Sequence, residues 1–267
     1  MNRLLTTLIL AGSASLAQAD MATRTVDYHI DGEVFQGLLV YDDSVTAPRP
    51  GLLMVPNWMG VTENAAKKAW RAAGSDYVVF IADMYGRHIR PADAAQAGAA
   101  AGAVKGDTEL MRTRVNAALE VFRQEAAELL DTSRMGAIGF CFGGTSVLEL
   151  ARSGTALSGV VSFHGNLDTG LPAKPGAVKS PVLVLHGADD PYVPPQQVAD
   201  FEAEMRNAGT DDWQLLSFGG AVHSFTDPTA NLPGQAMYDA RVADRAFRQM
   251  RLFFAETMAL PVPDTSR

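Results

Sequence analysis

The chain of 267 residues contains only one cysteine, Cys141, so no disulfide can form within it. Its beginning nevertheless has the pattern of an export signal: the basic Arg3, a run of apolar or small residues, and Ala-Gln-Ala at residues 17–19, which is typical of a cleavage site. We therefore expect residues 1–19 to be removed and the protein to be periplasmic or secreted. Because exported proteins normally use cysteines in disulfides, the single thiol is either a small buried hydrophobe or a reactive group.

Basic clusters, long apolar runs and paired histidines are also scarce. Lys and Arg number 22 against 30 Asp and Glu, which excludes nucleic acid as an expected partner. After residue 19 no apolar run has the length of a membrane span, so we expect no membrane segment in the mature chain. The 5 histidines include no close pair at ligand spacing, so we expect no metal, and no other cofactor is implied.

Apolar runs alternate with helical patterns through most of the chain. Residues 25–30 and 33–41 alternate in polarity around Asp31-Gly32, which predicts an antiparallel hairpin. Near-continuous apolar runs, typical of parallel strands covered on both faces, occur at residues 51–55, 77–81, 135–140, 159–163 and 181–185. Helical patterns occur at residues 63–73, 107–130, 144–152, 195–208 and 236–259, and a last strand is expected at 213–218.

This alternation predicts one α/β domain over residues 20–260, with a doubly wound, mostly parallel sheet, antiparallel strands at its start and helices on its faces. Residues 88–105 are rich in Ala and Gly with little periodicity, so we expect either a weak helix or a flap over the site. Residues 261–267 are expected to form a loose tail. The oligomeric state is not fixed by the sequence, and a monomer is favoured.

The lone cysteine lies where a predicted strand runs into a predicted helix, within Gly-Phe-Cys-Phe-Gly-Gly at residues 139–144. This is the context of a nucleophile elbow, in which a side chain at Gly139 or Gly143 would collide with neighbouring backbone. A cysteine there faces the positive end of the helix, which favours the thiolate, and the amide of Phe142 can point at a developing oxyanion. The alternative is a structural turn with a passive cysteine.

An acid and a histidine follow in the chain order that such an elbow requires. Asp189 and Asp190 come after the strand at residues 181–185, and His223 comes after the strand at 213–218. His223 would exchange a proton with Cys141, and one aspartate would fix the tautomer of the imidazole. The other aspartate would only form the turn before Pro191.

The other histidines have weaker interpretations. We expect His29 at the surface, whereas His88 is a candidate to line the cleft. His164 and His186 each end a predicted strand on the side of the nucleophile, so they either contact substrate or bond to loop carbonyls.

These ordered motifs resemble the dienelactone hydrolase (carboxymethylenebutenolidase) family of α/β-hydrolases, whose members use Cys, Asp and His. The resemblance extends over nearly the whole mature chain, through residues 56–61, 82–87, 139–144, 190–194 and 223–225. It implies an α/β-hydrolase fold and hydrolysis of a small-molecule ester or lactone. It also selects Asp190 over Asp189 as the acid, and it implies that the amide of Trp58 is the second oxyanion donor.

Two positions depart from the dienelactone-cleaving members. Asn57 stands where the family has a Glu, and Asp227 stands where it has an Arg. The resemblance implies that this Glu and Arg pair with each other, help to activate the thiol and hold the substrate carboxylate. Their joint loss avoids an unpaired buried charge. Arg87 still matches a second carboxylate-binding Arg.

We therefore expect a substrate more neutral or apolar than dienelactone. The candidate substrate contacts are Asn57, Tyr85, Arg87, His164, Tyr192 and Phe225. Two alternatives stay open: a ligand-binding protein on a hydrolase scaffold that has lost catalysis, and a periplasmic thiol protein. The second is disfavoured because no resolving cysteine is present.

Overall fold

The computed structural model describes residues 21–262. The expected signal peptide at residues 1–19 lies outside the described residues, and so does most of the expected tail, residues 263–267. No helix within the described range combines the length and the apolar character needed to cross a membrane.

Strands and helices alternate along the chain. The strands of the main sheet are β1 (Met21–Ile30), β2 (Glu33–Asp42), β3 (Arg49–Val55), β4 (Val78–Ile81), β5 (Leu130–Phe140), β6 (Gly159–Phe163), β7 (Val182–Gly187) and β8 (Trp213–Phe218). The helices are α1 (Glu63–Ala73), α2 (Ala94–Lys105), α3 (Thr108–Glu125), α4 (Phe142–Arg152), α5 (Pro195–Asn207) and α6 (Ala240–Thr257). A small hairpin is formed by β9 (Asn231–Leu232) and β10 (Ala236–Met237).

The main sheet has the strand order β1-β2-β4-β3-β5-β6-β7-β8. Strand β1 pairs with β2 and β2 with β4 in antiparallel fashion, and every pairing from β4 to β8 is parallel. The turn between β1 and β2 has positive φ at both Asp31 and Gly32, as a tight hairpin requires. The predicted mostly parallel sheet with antiparallel strands at its start is confirmed.

Apolar side chains cover both faces of the sheet, which is why its parallel strands are continuous apolar runs. One buried cluster joins the sheet to α3, α4 and α5 through side chains such as Phe122, Val147 and Phe201. The other joins it to α1 and α6 through side chains such as Ala69 and Phe247. Each fully buried Phe or Val contributes about 1.5–3 kcal/mol, so both helix layers are held by the same force. The doubly wound arrangement is confirmed.

Element boundaries differ from prediction where tertiary pairing overrides local preference. Helix α3 ends at Glu125 rather than near residue 130, because Leu130 already pairs with Arg49 in the sheet. Helix α6 begins at Ala240 rather than at 236, because Asp239 caps it by accepting the amide of Val242. Residues 94–105 of the Ala- and Gly-rich segment form the helix α2.

Candidate active site

Cys141 occupies a strained turn between β5 and α4. Its φ is 56° and its ψ is −119°, in a region that L residues rarely adopt. A Cβ atom on Gly139 would overlap the carbonyl of Gly143, and one on Gly143 would overlap the carbonyl of Val55. The glycines around Cys141 are therefore required by space, and the strain holds its side chain out of the turn.

The buried side chain of His164 supports this turn by a hydrogen bond to its backbone. Its Nδ1 accepts the amide of Cys141 at 3.1 Å, so the neutral ring carries its proton on Nε2 and donates it to Thr226 Oγ1 at 2.7 Å. Burial, followed by the charges of His223 and Lys68, holds the pKa of His164 well below its usual range. The ring is buried and does not line the cavity described below. His164 thus supports Cys141 rather than facing substrate space.

The structure brings Asp190 and His223 together. Asp190 Oδ2 accepts from Nδ1 of His223 at 2.7 Å, and its Oδ1 accepts the amide of Tyr192 at 2.9 Å. Asp190 is buried, whereas Asp189 is exposed. The backbone of His223 is held on both sides by the small hairpin, through its amide to the carbonyl of Gln235 and its carbonyl to the amide of Met237. The ring of His223 is therefore fixed by its own side chain and by its backbone.

The thiol of Cys141 and the ring of His223 favour a charged pair. Burial raises the pKa of Cys141, but the hydrogen bond and charge of His223 and the amides of Phe142 and Trp58 outweigh it, so the pKa is lowered. Burial lowers the pKa of His223, but the hydrogen bonds with Asp190 and Cys141 outweigh it, so the pKa is raised. A thiolate beside an imidazolium is the state that these shifts favour.

The amides of Phe142 and Trp58 approach the sulfur from two different elements. Phe142 begins α4, whose N-cap makes no side-chain hydrogen bond, so the amides of the first turn are not used by a cap. Trp58 lies in a turn closed by the amide of Gly60 and the carbonyl of Asn57 at 2.9 Å. The carbonyl of Trp58 accepts from Tyr85 Oη at 2.9 Å, which fixes the next peptide of the turn, between Trp58 and Met59. Both predicted oxyanion donors are thus positioned beside Cys141.

A cavity of about 880 Å³ opens in front of Cys141 and His223. Its rim has apolar side chains that remain partly exposed: Trp58 at 38%, Tyr192 at 46% and Leu232 at 49%. The lining residues are Asn57, Trp58, Met59, Thr62, Asn64, Lys105, Cys141, Asn166, Tyr192, His223, Ser224, Asp227, Thr229, Ala230, Asn231, Leu232 and Ala236. The site combines a thiol, an imidazole and two amide donors with a large concave space.

The candidate substrate contacts divide into two groups. Asn57 and Tyr192 line the cavity, and the ring of Tyr192 meets that of His223 edge-on at 5.2 Å. Tyr85 and Phe225 are buried outside the lining, where Tyr85 packs on Phe142 and Phe225 packs on His164. These two rings support the site residues and do not reach the cavity.

Arg87 is also placed away from the cavity, contrary to the expectation from its motif. Its guanidinium forms an ion pair with Asp27 at 3.0 Å, where both side chains are partly exposed. Its amide donates to the carbonyl of Val34, which holds this segment against β2. His29 and His88 are exposed, and His88 is not part of the cavity lining either. The structure therefore contains no carboxylate clamp built from Arg87.

A buried ion pair that was not predicted from the sequence lies beside the site. Lys68 Nζ lies 2.8 Å from Asp227 Oδ2, and both side chains are more than nine-tenths buried. Burial raises the pKa of Asp227, but the charge of Lys68 and hydrogen bonds from Lys68, Thr229 and Asn64 hold it well below its usual range. The sequence contains one sign that Lys68 is buried: it lies on the same face of α1 as the buried alanines at i−3, i+1 and i+4.

No three His, Cys, Asp or Glu side chains between residues 21 and 262 are grouped so that they could hold a metal ion.

The sequence and the fold of the chain are similar to those of known proteins. The model of the dienelactone hydrolase family matches residues 35–258. A crystal structure described as a dienelactone hydrolase-like promiscuous phosphotriesterase, P91 from metagenomic libraries, is 38% identical with a TM-score of 0.81, covering 89% of this chain and 98% of its own. A structure described as m3DLH is 36% identical with a TM-score of 0.82 and the same coverage of 89% and 98%.

A protein of Bradyrhizobium sp named "Probable 2-oxo-3-(5-oxofuran-2-ylidene)propanoate lactonase" is 28% identical over 220 residues, which are 77% of this chain and 86% of that protein. Together with the strand order, these similarities show the α/β-hydrolase fold.

Proposed function

Since the chain belongs to the dienelactone hydrolase family, we propose that it hydrolyses a carboxylic ester or a lactone with Cys141 as its nucleophile. The observation that carries the proposal is the position of the Cys141 thiol between His223 and the amides of Trp58 and Phe142, on the wall of the cavity. The nucleophile, the proton carrier and the oxyanion donors then all lie around the place where the substrate carbonyl would bind, as acyl transfer requires.

In the first half of the reaction the thiolate of Cys141 attacks the carbonyl carbon and forms the C–S bond. The sulfur loses its negative charge as the carbonyl oxygen gains one. The amides of Trp58 and Phe142, which stabilise the thiolate in the free protein, then stabilise the oxyanion. When the tetrahedral species collapses, the C–O bond to the leaving group breaks, and the imidazolium of His223 gives its proton to the leaving oxygen.

The second half releases the acid. His223, now neutral at Nε2, takes a proton from water, and the resulting hydroxide attacks the thioester carbonyl. Collapse breaks the C–S bond and returns Cys141 as the thiolate beside imidazolium. Asp190 accepts from Nδ1 of His223, at 2.7 Å in the free protein. This bond keeps the ring oriented with Nε2 toward the sulfur and, when the ring is neutral, keeps its proton on Nδ1.

The charges of the cavity favour a neutral substrate. Asp227 contributes a carboxylate to the lining. Lys105, the one lysine or arginine among the described lining residues, is already paired with Asp168 at 3.2 Å, and the imidazolium of His223 is paired with Cys141 and Asp190. A substrate carboxylate would meet no unpaired cation there, so we expect the dienelactone anion to be a poor substrate. Trp58, Leu232 and Tyr192 offer apolar surface for a neutral acyl or alcohol group.

The test is hydrolysis of p-nitrophenyl butyrate by the wild type, by Cys141→Ala and by the control Asp189→Asn, which changes an exposed carboxylate next to Asp190. We expect activity in the wild type and the control, and loss of it in Cys141→Ala and after treatment with iodoacetamide. A wild type that binds esters without cleaving them would indicate the ligand-binding alternative. Turnover of disulfides in place of esters would indicate the thiol protein.

A neutral phosphotriester is a second candidate substrate, favoured by the 38% identity to the promiscuous phosphotriesterase. The thiolate would form a P–S bond and expel the aryloxide, while the two amides stabilise the charge on the phosphoryl oxygen. A cavity of about 880 Å³ has room for the three substituents of a phosphotriester. We expect release of p-nitrophenol from diethyl p-nitrophenyl phosphate to disappear in Cys141→Ala. Release that survives this substitution would exclude the site.

We also propose that the protein is exported and acts as a monomer. The pattern of residues 1–19 supports export. Expression of the full chain in a Gram-negative host should yield a periplasmic protein whose mass corresponds to a start after Ala19, and light scattering should give the mass of one chain. A cytoplasmic protein that keeps residues 1–19, or a dimer mass, would contradict the respective part.

A further inference from the structure

We propose that Asp227, paired with Lys68, is a positioning residue that fixes the oxyanion-hole amide of Trp58 through Asn57. The inference rests on the proposed acyl transfer and adds a group that acts on it without touching the reacting atoms. Its basis is a buried polar network that connects three segments at one edge of the cavity.

The carboxylate of Asp227 accepts hydrogen bonds from all three segments. From α1 come Lys68 Nζ at 2.8 Å and Asn64 Nδ2 at 2.9 Å and 3.0 Å. From the turn that contains Trp58 comes Asn57 Nδ2 at 3.2 Å. From the loop of Asp227 itself come the amide and hydroxyl of Thr229 at 3.0 Å and 2.7 Å. A carboxylate accepts at both oxygens, whereas the amide of an Asn at this position would accept at one only.

Asn57 transmits this constraint to the turn. While its Nδ2 donates to Asp227, its Oδ1 accepts the amide of Met59 at 3.1 Å. If the side-chain amide were turned over, its oxygen would face the carboxylate and its NH₂ would face the amide of Met59, and both hydrogen bonds would be lost. The negative charge of Asp227 therefore decides the orientation of Asn57, and that orientation holds Met59 in the turn that presents the amide of Trp58.

The ammonium of Lys68 compensates the buried negative charge of Asp227. An unpaired buried carboxylate is strongly unfavourable, and Lys68 supplies the compensating charge from the buried face of α1. Asp227 also follows His223 by four residues, and its amide donates to the carbonyl of Ser224 at 2.9 Å. One anion thus joins the loop of the proton carrier to the turn of the oxyanion donor.

The experiment exchanges the two groups. We would measure kcat and KM for p-nitrophenyl butyrate in Asn57→Asp, in Asp227→Asn and in the double variant, together with the rate at which iodoacetamide alkylates Cys141. Asn57→Asp sets two carboxylates against each other, and Asp227→Asn leaves Lys68 uncompensated. The double variant conserves the total charge. It also restores a hydrogen-bond donor, the amide at position 227, opposite an acceptor, the carboxylate at position 57. The control is Glu63→Gln with Lys67→Met, which removes an exposed ion pair from the same helix.

We expect each single variant to lower kcat by about 10²-fold, the lower end of the loss seen when one oxyanion donor is removed, with KM changed far less. The double variant should recover most of kcat, and the control should match the wild type. Alkylation of Cys141 forms no oxyanion, and the amide of Trp58 is the smallest of the groups that lower the pKa of the thiol, so the alkylation rate should change far less than kcat in every variant.

Three results would overturn the inference: single variants with wild-type kcat, losses that multiply in the double variant, or alkylation rates that fall in parallel with kcat. Circular dichroism and the melting temperature of each variant check that it is folded at the assay temperature. If a single variant does not fold, the charge-conserving double variant still tests the inference. Failure of the proposed function looks different, because the wild type would then lack ester hydrolysis that depends on Cys141.

Discussion

Two buried ionic clusters involve helices from different layers of the fold, one α1 and the other α3, α4 and α5. The site cluster is the pair Lys68 and Asp227 with its surrounding amides, and Asp227 borders the cavity. The rear cluster contains Arg112, Glu149, Arg152 and Glu204, in which Arg152 pairs with Glu149 at 2.9 Å and with Glu204 at 2.8 Å, and Arg112 pairs with Glu149 at 2.8 Å. Both clusters are balanced in charge and nearly inaccessible to water.

The clusters differ in what they connect. The rear cluster joins α3, α4 and α5 to each other, and Arg152 also donates to the carbonyl of Leu167, so it fixes a helix layer. The site cluster joins the turn of Asn57 and Trp58 to the loop after His223. If the proposed role of Asp227 holds, interactions of the same kind serve stability in one place and reactivity in the other, and substitutions should separate the two effects.

The largest effect on rate is expected at Cys141, the proposed nucleophile, which belongs to neither cluster. Cys141→Ser keeps the shape of the turn but replaces a thiol that is readily ionised with a hydroxyl that is not. We expect kcat for p-nitrophenyl butyrate to fall on the order of 10⁴-fold, the scale on which a defective triad member lowers kcat, while the melting temperature is unchanged. A serine variant with activity equal to the wild type would show that His223 is a strong enough base for an alcohol.

Arg152→Met should break the rear cluster and test its assignment to stability. It leaves the buried carboxylates of Glu149 and Glu204 without their shared cation, so we expect the free energy of unfolding to fall by about 3–5 kcal/mol in urea titrations. The kcat per active site, with sites counted by alkylation of Cys141, should stay that of the wild type. Exposed Arg206→Met, which ends an ion pair with Glu202, is the matched control. A stable but slow Arg152→Met protein would contradict the comparison.

The order of elements and the Cys-His-Asp geometry follow from local signals. Buried parallel strands need continuous apolar sequence, and glycines are needed around Cys141, so both leave traces in the chain. Strand ends then bring Asp190 and His223 to the same edge of the sheet.

Side-chain directions in the loops do not leave such traces. Gly86 has a φ of 110°, which turns the next residue toward β2, so Arg87 meets Asp27 instead of the cavity. His164 has a φ of 41°, and its ring turns inward to the amide of Cys141. Lys68 finds its partner only because α1 packs against the loop after His223. Each of these outcomes depends on tertiary packing between segments that are distant in sequence.

Asp190→Asn should affect rate and its dependence on pH without touching either cluster. In the proposed mechanism the active form has Cys141 ionised and His223 protonated. In the wild type kcat/KM should rise with pH through the lowered pKa of Cys141 and fall through the raised pKa of His223. Asp190 raises the pKa of His223, so Asp190→Asn should move the alkaline limb to lower pH and reduce kcat/KM on the order of 10²-fold. An unchanged alkaline limb would mean that His223 is not the group that titrates there, and Asp189→Asn provides the control.

The smallest effect is expected at the rim of the cavity, which carries no buried charge. Leu232 lies on the hairpin whose backbone holds His223, but the residue is 49% exposed and belongs to neither cluster. Leu232→Ala should therefore lower kcat/KM for p-nitrophenyl octanoate by about fivefold, at the low end of the 1–3 kcal/mol that small apolar differences give in enzyme pockets. It should leave p-nitrophenyl acetate and the free energy of unfolding unchanged, because a two-carbon acyl group does not extend to the rim. Equal losses for both esters would mean that the substitution disturbs His223 through the hairpin, and the rim would then belong with the site cluster as part of the machinery that positions reacting groups.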